Sequence, residues 1–178
     1  MPNREELGRS IVERATLHGT FTLRSGAVSH IYFDKYLLEA DPAMLLAISQ
    51  EMVAKVPPET EALAGLEMGG IPVATLLSQQ TGIPALYVRK KAKEYGTCKL
   101  AEGGEVGGRR IVIIEDVVTS GGQILLSAKD LRELGAEIST VLCVIDREAG
   151  GAENLAGEGL ELRPLYRISE LQAYAKST

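Results

Sequence analysis

The most informative stretch of this chain is Arg110-Ile-Val-Ile-Ile-Glu-Asp-Val-Val-Thr-Ser-Gly-Gly-Gln123. Its consecutive apolar residues at 111–114 favour β-structure and predict a strand that is buried on both faces. Two carboxylates, Glu115 and Asp116, stand where that strand is expected to end. A turn of small residues follows, and apolar residues at helical spacing begin at Ile124. This order of strand, acid pair, loop and helix predicts a binding site at the carboxyl edge of a parallel sheet.

The loop after the acid pair has the composition of an anion site. Thr119, Ser120, Gly121 and Gly122 lack bulky side chains, so their main-chain N–H groups can surround an anion, and the two hydroxyls add donors. The dipole of the following helix adds about half a positive charge. Carboxylates would repel phosphate and are suited instead to sugar hydroxyls or a divalent cation. A ligand with both a phosphate and vicinal hydroxyls is a ribose 5-phosphate.

The same stretch resembles the phosphoribosyl-pyrophosphate (PRPP) binding motif of the type I phosphoribosyltransferases, which joins an apolar strand, two acids and a Thr-x-Gly loop. The resemblance implies an α/β fold in which helices flank a parallel sheet and a small amino-terminal hood covers the site. An incidental acid pair in an ordinary strand–loop–helix unit is the alternative. Neither of the common nucleotide-binding glycine loops occurs in the chain. The residues to which the resemblance assigns PRPP binding are Glu115, Asp116, Val117, Val118, Thr119, Ser120, Gly121, Gly122 and Gln123.

Length and composition predict one globular domain over residues 1–178. The chain is 45% hydrophobic and carries a net charge of −5, which argues against nucleic acid as a partner. No apolar run approaches the ~20 residues of a membrane span, and the polar amino-terminal segment lacks the apolar core of a signal peptide. Cys98 and Cys143 are far apart in sequence, which predicts neither a disulfide framework nor a zinc site. We therefore expect a cytoplasmic protein without a membrane or nucleic-acid partner.

A cluster of cations follows the predicted strand at 84–88. Residues 89–99 include five positive charges and one negative charge, and a glycine-rich stretch without periodicity comes next. This composition predicts a flexible loop over about 90–108 that cannot pack into a core. A solvated charged hairpin is the alternative. Because the cations start at the carboxyl end of a strand, a closing loop could bring them to a pyrophosphate leaving group.

Within the superfamily, the run Arg89-Lys-Lys-Ala-Lys-Glu-Tyr-Gly96 is similar to the catalytic loop of the orotate phosphoribosyltransferases. The resemblance implies that Arg89, Lys90, Lys93 and Tyr95 contact the pyrophosphate of PRPP, and that Lys93 is catalytic together with the acid pair. Tyr95 stands where the family often has histidine, and a tyrosine donates a hydrogen bond but carries no charge near neutral pH. In that family the loop reaches into the neighbouring subunit, so the resemblance also implies a homodimer.

Residues 1–36 are predicted to form most of the hood. Asn3 and Glu6 have the spacing of a capping box, at the start of a helix expected over 4–17. Two short alternating segments follow, between Phe21 and Asp34, and the Ser-Gly turn between them predicts a hairpin.

The sequence of this hairpin, Phe-Thr-Leu-x-Ser-Gly-x-x-Ser with an aromatic pair after it, is similar to the hood of the orotate phosphoribosyltransferases. The resemblance implies that Tyr32 and Phe33 flank the pyrimidine ring of orotate. It also places Arg24 at the orotate site, where the family usually has lysine. Both residues bring a cation, although arginine is bulkier and forked. Packing in the core is the alternative for the two aromatic side chains.

Two further strand ends carry residues of interest. Gly69, Gly70 and Pro72 predict a strand-to-helix turn with proline at the first helical position, and the glycines would let the backbone approach a ligand. A plain tight turn explains the glycines equally well. In the superfamily this turn lies against the pyrophosphate, and some orotate enzymes have lysine where Gly69 stands. After the predicted strand at 138–145, the resemblance assigns Arg147 to the orotate carboxylate, whose geometry an arginine matches, and Thr119 to the same base. An ion pair with a neighbouring acid is the alternative for Arg147.

Taken together, the pattern predicts helices near 4–17, 42–55, 71–81, 122–135 and 168–176, and strands near 62–66, 84–88, 111–115, 138–145 and 161–166. Their alternation predicts a parallel α/β sheet. The resemblance implies an orotate phosphoribosyltransferase, a pentosyltransferase of de novo UMP synthesis that converts orotate and PRPP to orotidine 5′-monophosphate and pyrophosphate. It implies Mg²⁺ as cofactor, bound mainly through substrate oxygens. Transfer to another nucleobase and a PRPP-binding regulator without catalysis are the alternatives.

Overall fold

The structure is a computed structural model of the chain, and it describes residues 3–22, 26–91 and 99–176. Its helices are α1 (Arg4–Ala15), α2 (Tyr36–Glu39), α3 (Pro42–Val53), α4 (Gly70–Thr81), α5 (Gly122–Glu133), α6 (Gly151–Gly157) and α7 (Ile168–Lys176). Its strands are β1 (Thr16–Thr22), β2 (Val28–Phe33), β3 (Ala62–Leu66), β4 (Ala85–Val88), β5 (Ala101–Glu102), β6 (Arg110–Val118), β7 (Glu137–Asp146) and β8 (Glu161–Arg167). Among these described helices, none combines the length and the apolar character that crossing a bilayer requires.

The main sheet has six strands in the order β5-β4-β3-β6-β7-β8. Strands β4, β3, β6, β7 and β8 are parallel, and Ile113 of β6 pairs with Ala64 on one side and Val141 on the other. This confirms the predicted parallel α/β sheet. Strand β6 continues three residues beyond its predicted end at position 115, as far as Val118, so the acid pair lies within the strand and not after it.

The two faces of β6 pack in two separate cores. Ile111 and Ile113 belong to a core that includes residues of α5, whereas Val112 and Ile114 belong to a second core that includes residues of α1, α3 and α4. Successive side chains of a strand point to opposite faces, so an unbroken apolar run is what a strand covered on both sides requires. The helices on both faces thus fix the position of β6, at whose end the acid pair stands.

The carboxyl half of the predicted loop over 90–108 is not excluded from the core. Strand β5 pairs with β4 in the antiparallel direction, and Leu100, Ala101 and Val106 are buried in the core on the α5 face. The expectation that this segment cannot pack is therefore wrong from residue 100 onward. The glycines conceal the pattern, because Gly103 and Gly108 adopt positive φ angles of 103° and 71° that turn the chain between its few apolar residues.

The hood consists of α1 and an antiparallel hairpin of β1 and β2. The predicted capping box is present: Asn3 Oδ1 accepts from the N–H of Glu6, and Glu6 Oε2 accepts from the N–H of Asn3, both at 2.9 Å. Helix α1 ends at Ala15, and β1 follows without a connecting loop. The hairpin that the sequence predicts is confirmed, although its first strand begins at Thr16, well before Phe21.

Candidate active site

The acid pair at the end of β6 occupies two different environments. The Asp116 side chain is buried, whereas that of Glu115 is partly exposed. Each carboxylate also fixes the local main chain: Glu115 Oε1 accepts from the N–H of Asp116 at 2.9 Å, and Asp116 Oδ1 accepts from the N–H of Val117 at 2.6 Å. The main chain of β6 therefore helps to hold both acids in place, and their two side chains also interact with each other.

Helix α2 and the N-cap residue before it bring two charged side chains to Asp116 that the sequence analysis missed. The ammonium of Lys35 lies 2.5 Å from Asp116 Oδ2. Glu39, one turn further along, contacts the same carboxylate, since both side chains approach the point where a Cβ of Gly69 would stand. The only available signal was the spacing of Lys35 and Glu39, which places residues four apart on one helical face. No feature of the sequence connects that face to β6.

Burial and mutual contact shift the pKa values of Glu115, Glu39 and Asp116 in different directions. Burial, and then the neighbouring Asp116, raise the pKa of Glu115 to about 9. The same two causes raise the pKa of Glu39 to about 8. Burial also acts to raise the pKa of Asp116, but hydrogen bonds with Glu115, Glu39 and Lys35 outweigh it and hold that pKa below its ordinary value. These shifts favour the protonated forms of Glu115 and Glu39 and the ionised form of Asp116, which is paired with the Lys35 ammonium.

The loop after β6 has the geometry that anion binding requires. Gly121 has a φ of +76°, a left-handed conformation that glycine adopts without strain, and α5 begins at the next residue. Within the described part of the chain, the main-chain N–H groups of Thr119, Ser120 and Gly121 donate no backbone hydrogen bond. The first N–H groups of α5 also lack partners inside the helix. These donors lie next to the positive end of the helix dipole, and their role in anion binding stays a prediction.

The predicted PRPP residues around this loop differ in what they can offer. The Val118 side chain is buried in the core, and its carbonyl accepts from the N–H of Arg147 at 2.8 Å. Val117 packs against the opposite core, and its N–H is bonded to Asp116. Both valine side chains pack inside the protein, so the predicted binding of PRPP by these two residues stays a prediction that concerns their main chain. Gln123 is partly exposed and donates to Ser127 Oγ at 3.3 Å.

Helix α6, which the sequence did not predict, supports the loop from the side. Gly151 packs so closely that a Cβ at this position would lie 2.4 Å from the carbonyl oxygen of Thr119. The side-chain amide of Asn154 donates to the carbonyl of Ser120 at 3.0 Å. Because α6 has only seven residues, its sequence shows too little periodicity to be recognised.

The glycine turn between β3 and α4 lies directly against β6. A Cβ at Gly70 would stand 2.2 Å from the carbonyl oxygen of Ile114, and a Cβ at Gly69 would stand 1.7 Å from Asp116 Oδ2. These glycines are thus required by close approach to the strand and its acid, not only by a tight turn. Helix α4 begins at Gly70, so Pro72 occupies the third helical position, where the missing N–H is still tolerated.

The start of the predicted pyrophosphate loop lies at the same edge of the sheet. The main-chain N–H of Arg89 donates to the carbonyl of Leu100 at 2.9 Å, and its Nε lies 3.8 Å from Glu102 Oε1 on β5. The N–H of Lys90 donates to Glu67 Oε1 at 2.6 Å, which connects this segment to the glycine turn. Lys93 and Tyr95 lie outside the described residues, and their roles stay predictions.

Comparison with known proteins identifies the family. The phosphoribosyl transferase domain family matches residues 44–158. The orotate phosphoribosyltransferase of a Nocardioides species is 57% identical over 157 residues, which span 88% of each chain. That of Methanocella arvoryzae is 42% identical over 160 residues, 90% of this chain and 91% of the relative. The chain belongs to the orotate phosphoribosyltransferase family. The predicted fold, enzyme class and role in pyrimidine biosynthesis are thereby confirmed.

Solved structures of orotate phosphoribosyltransferases share the whole architecture. The crystal structure of the Mycobacterium tuberculosis enzyme in complex with inorganic phosphate superimposes with a TM-score of 0.85 at 30% identity, over 97% of this chain and 99% of that chain. The complex of the same enzyme with PRPP superimposes with a TM-score of 0.81 at 30% identity, over 96% of this chain and 99% of that chain. The shared architecture thus covers nearly the whole chain, including both the hood and the sheet.

The hood residues predicted to bind orotate lie in separate environments. Tyr32 is exposed and stacks on Phe21, with ring centroids 5.4 Å apart. Phe33 is partly buried and packs against the core on the α1 face. Since neighbours on a strand point to opposite faces, the structure does not bring both rings to one side of the hairpin. The packing of Phe33 favours the core alternative, while Arg24 lies outside the described residues.

Arg147 is exposed at the end of β7, on the same sheet edge as Thr119. The alternative of an ion pair with a neighbouring acid is not realised among residues 3–22, 26–91 and 99–176. Asp146 Oδ1 accepts instead from the N–H of Glu148 at 2.9 Å, and Glu148 Oε2 accepts from the N–H of Ser169 at 2.9 Å. The two acids next to Arg147 are thus engaged by main-chain donors.

Proposed function

We propose that this chain transfers the phosphoribosyl group of PRPP to orotate through a site centred on β6. A ring nitrogen of orotate displaces pyrophosphate at the anomeric carbon of the ribose, which gives orotidine 5′-monophosphate. The observation that carries the proposal is the position of the acid pair near the end of β6, two residues before a loop whose N–H groups donate no backbone hydrogen bond to any described residue. The carboxylates can accept from sugar hydroxyls, and the N–H groups of the loop can donate to a phosphate. Because these groups lie a few residues apart, one ribose 5-phosphate could contact both.

The proposed mechanism uses alignment and electrostatics, with no covalent intermediate on the protein. Main-chain donors of Thr119, Ser120 and Gly121 would hold the 5′-phosphate, and α5 would add its dipole. Glu115 and Asp116 would accept from the ribose hydroxyls. The negative charge of Asp116 would also lie near the carbon where positive charge develops as pyrophosphate leaves, and it would then stabilise that transition state more than the ground state.

Mg²⁺ remains part of the proposal as a cofactor held mainly by the substrate. In the described ranges, no group of three histidine, cysteine or carboxylate side chains is arranged to hold a metal. Mg²⁺ prefers oxygen ligands. Because Asp116 is already paired with Lys35, the oxygens of PRPP would be better ligands for the ion than this carboxylate. When bound, the ion would neutralise charge that develops on the leaving pyrophosphate. Arg89, Lys90 and Lys93 would add cations to the same group.

For the base, we propose that Arg147 binds the orotate carboxylate and that Thr119, Arg24 and Tyr32 complete the pocket. Arg147 carries this assignment because its guanidinium is exposed beside the phosphate loop and its neighbouring acids are occupied. A bidentate arginine–carboxylate pair distinguishes orotate from a base without a carboxylate.

We further propose a homodimer in which the loop around Lys93 completes the site of the other subunit. The hood and its surroundings expose several large apolar side chains, among them Val28, Ile31, Tyr36 and Met68, and an exposed apolar surface of this kind is typical of an interface. Mixing inactive Lys93→Ala and Asp116→Ala proteins tests this arrangement. The mixture would regain about a quarter of wild-type activity after subunit exchange, since about half of the dimers are hybrid and each hybrid has one intact site of two. No recovery would contradict a shared site.

A cytoplasmic location is the remaining part of the proposal. Fractionation of cells that express the epitope-tagged chain tests it, and recovery of the chain in a membrane or secreted fraction would contradict it.

The reaction is tested by following the ultraviolet absorbance of orotate in the presence of PRPP and Mg²⁺. We expect turnover that disappears when Mg²⁺ is chelated, and a fall of about 100-fold or more in kcat/KM for Asp116→Ala. Glu153→Ala, on the exposed face of α6, serves as the matched control and should keep wild-type activity. Absence of turnover in the wild type, or full activity in Asp116→Ala, would overturn the proposal.

A further inference from the structure

Lys35 is placed to control the carboxylate of Asp116, although it lies in the hood and not on the sheet. Its ammonium is 2.5 Å from Asp116 Oδ2, and the Asp116 side chain is only 4% exposed. Of the lysine and arginine side chains in the described ranges, Lys35 is the one that forms an ion pair with Asp116. The Lys35 side chain is itself one-third exposed, so it reaches from the surface of the hood into the site.

Three acidic side chains share this one cation. Glu39 and Asp116 converge on the same point beside Gly69: a Cβ at that glycine would lie 1.7 Å from Asp116 Oδ2 and 2.7 Å from Glu39 Oε1. Glu115 contacts Asp116 through the main chain of β6. Two adjacent carboxyls cannot both ionise without a strong penalty, so the position of the cation decides which of them carries the charge.

We propose that Lys35 is a positioning residue for the reaction: it holds Asp116 ionised and oriented at the ribose site, while Glu39 takes the protonated role. The inference rests on the proposed function, since it assumes that Asp116 accepts from the ribose of PRPP. Because Lys35 lies at the start of α2, it also connects the hood to the sheet at this point. Lys35 acts through Asp116 and through no direct contact with the reacting atoms.

The groups that face Asp116 define what a pH profile will report. Helix α2 contributes Lys35 and Glu39, and β6 contributes Glu115. Strand β7 lines this side with Val144 and Ile145, which have no titratable group. The glycine turn on the fourth side presents Gly69, which has no titratable group. Loss of the Lys35 charge would therefore leave the three carboxyls to share their protons, and Asp116 would take one up at a higher pH than in the wild type.

The test compares Lys35→Met, Lys35→Arg and the control Lys129→Met, a lysine on the surface of α5 whose carboxylate partner is Glu133. For Lys35→Met we expect kcat/KM for PRPP to fall about tenfold or more and the acidic limb of its pH profile to move to higher pH. Lys35→Arg, which keeps the charge, should restore both quantities in large part, and Lys129→Met should change neither.

A second variant separates positioning from folding. In the Lys35→Met background, Glu39→Gln removes the competing acid, and its amide can donate to Asp116. We expect this double variant to regain part of the kcat/KM that Lys35→Met loses. If Lys35→Met lost activity only because it folded poorly, removal of the Glu39 charge would not restore it. Wild-type pH dependence in Lys35→Met, with the wild type itself active, would overturn the positioning role alone. An inactive wild type would instead contradict the proposed function, and no recovery in the double variant would contradict the coupling to Glu39.

Discussion

The side-chain amide of Asn154 donates a hydrogen bond to the main-chain carbonyl of Ser120 across 3.0 Å. This single bond connects α6 to the middle of the loop that we assign to the 5′-phosphate. Its effect is to fix the peptide plane between Ser120 and Gly121, and the orientation of that plane sets the direction of the Gly121 N–H. Asn154 is exposed and contacts no proposed substrate, so it offers a way to weaken the loop without touching the chemistry.

Asn154→Ala should raise KM for PRPP about threefold to tenfold, since the lost bond contributes about 1 kcal/mol to the ordering of the loop. The value of kcat should change little, because the acid pair stays in place. Steady-state kinetics with saturating orotate measures both constants, and Glu153→Ala on the same helix is the control. An unchanged KM would show that the loop is ordered without α6.

Two glycines of α6 should respond in opposite ways to substitution by alanine. Gly151→Ala places a Cβ 2.4 Å from the Thr119 carbonyl oxygen and 2.6 Å from Val118 Cγ1, so we expect the free energy of unfolding to fall by about 1–3 kcal/mol. Gly157→Ala meets no atom within 4 Å and should be neutral or stabilise by up to about 1 kcal/mol. Urea denaturation followed by circular dichroism measures both variants. Equal stabilities would contradict the close packing of α6 on the loop.

Substitution of the adjacent glycines Gly69 and Gly70, in the turn before α4, should affect different properties: mainly activity at Gly69 and mainly stability at Gly70. Gly70→Ala directs its Cβ at the backbone oxygen of Ile114, 2.2 Å away, and a backbone atom cannot move without displacing β6. We expect a loss of about 2 kcal/mol or more in the free energy of unfolding. Gly69→Ala meets the side chain of Asp116, which can rotate away.

For Gly69→Ala we therefore expect a smaller loss of stability than for Gly70→Ala, but a fall of about 100-fold in kcat/KM, because the displaced Asp116 carboxylate no longer faces the ribose. Denaturation curves and orotate consumption, measured on the same preparations, distinguish the two effects. Should Gly69→Ala keep wild-type activity, Asp116 would not need the position in which the structure places it.

How far the sequence could predict this molecule depends on the length and regularity of each element. The apolar run of β6 and the helix after it were predictable, because a strand covered on both faces needs an unbroken apolar run. Strand β5 was not, since it has two residues among glycines. Helix α6 was not either, because its seven residues show two turns at most and begin with a glycine that only packing explains.

The site residues that are neighbours in sequence were predictable, whereas those that meet only in the folded structure were not. Glu115, Asp116 and the loop residues lie within one stretch, so their chemistry could be inferred from order alone. Lys35 and Glu39 reach Asp116 from a segment about eighty positions earlier, and no local pattern indicates that contact. The prediction for Phe33 came from a resemblance in sequence and took no account of strand alternation. Because neighbouring residues of a strand point to opposite faces, only one ring of the pair can face the hairpin surface, and the Phe33 ring packs against the core.

The protonated state of Glu115 leads to a prediction about stability and pH. Burial, and then Asp116, raise its pKa from 4.5 to about 9, so the folded protein retains a proton that the unfolded chain releases. The contribution of this group is therefore complete below about pH 4.5 and is lost as the pH rises towards about 9. Glu115→Gln removes this dependence, because an amide does not titrate. We expect the variant to gain at least about 1 kcal/mol relative to the wild type between about pH 5 and about pH 8 in urea denaturation. Glu153→Gln, an exposed control, should show no such gain, and parallel pH profiles for wild type and Glu115→Gln would mean that Glu115 is ionised in the folded protein.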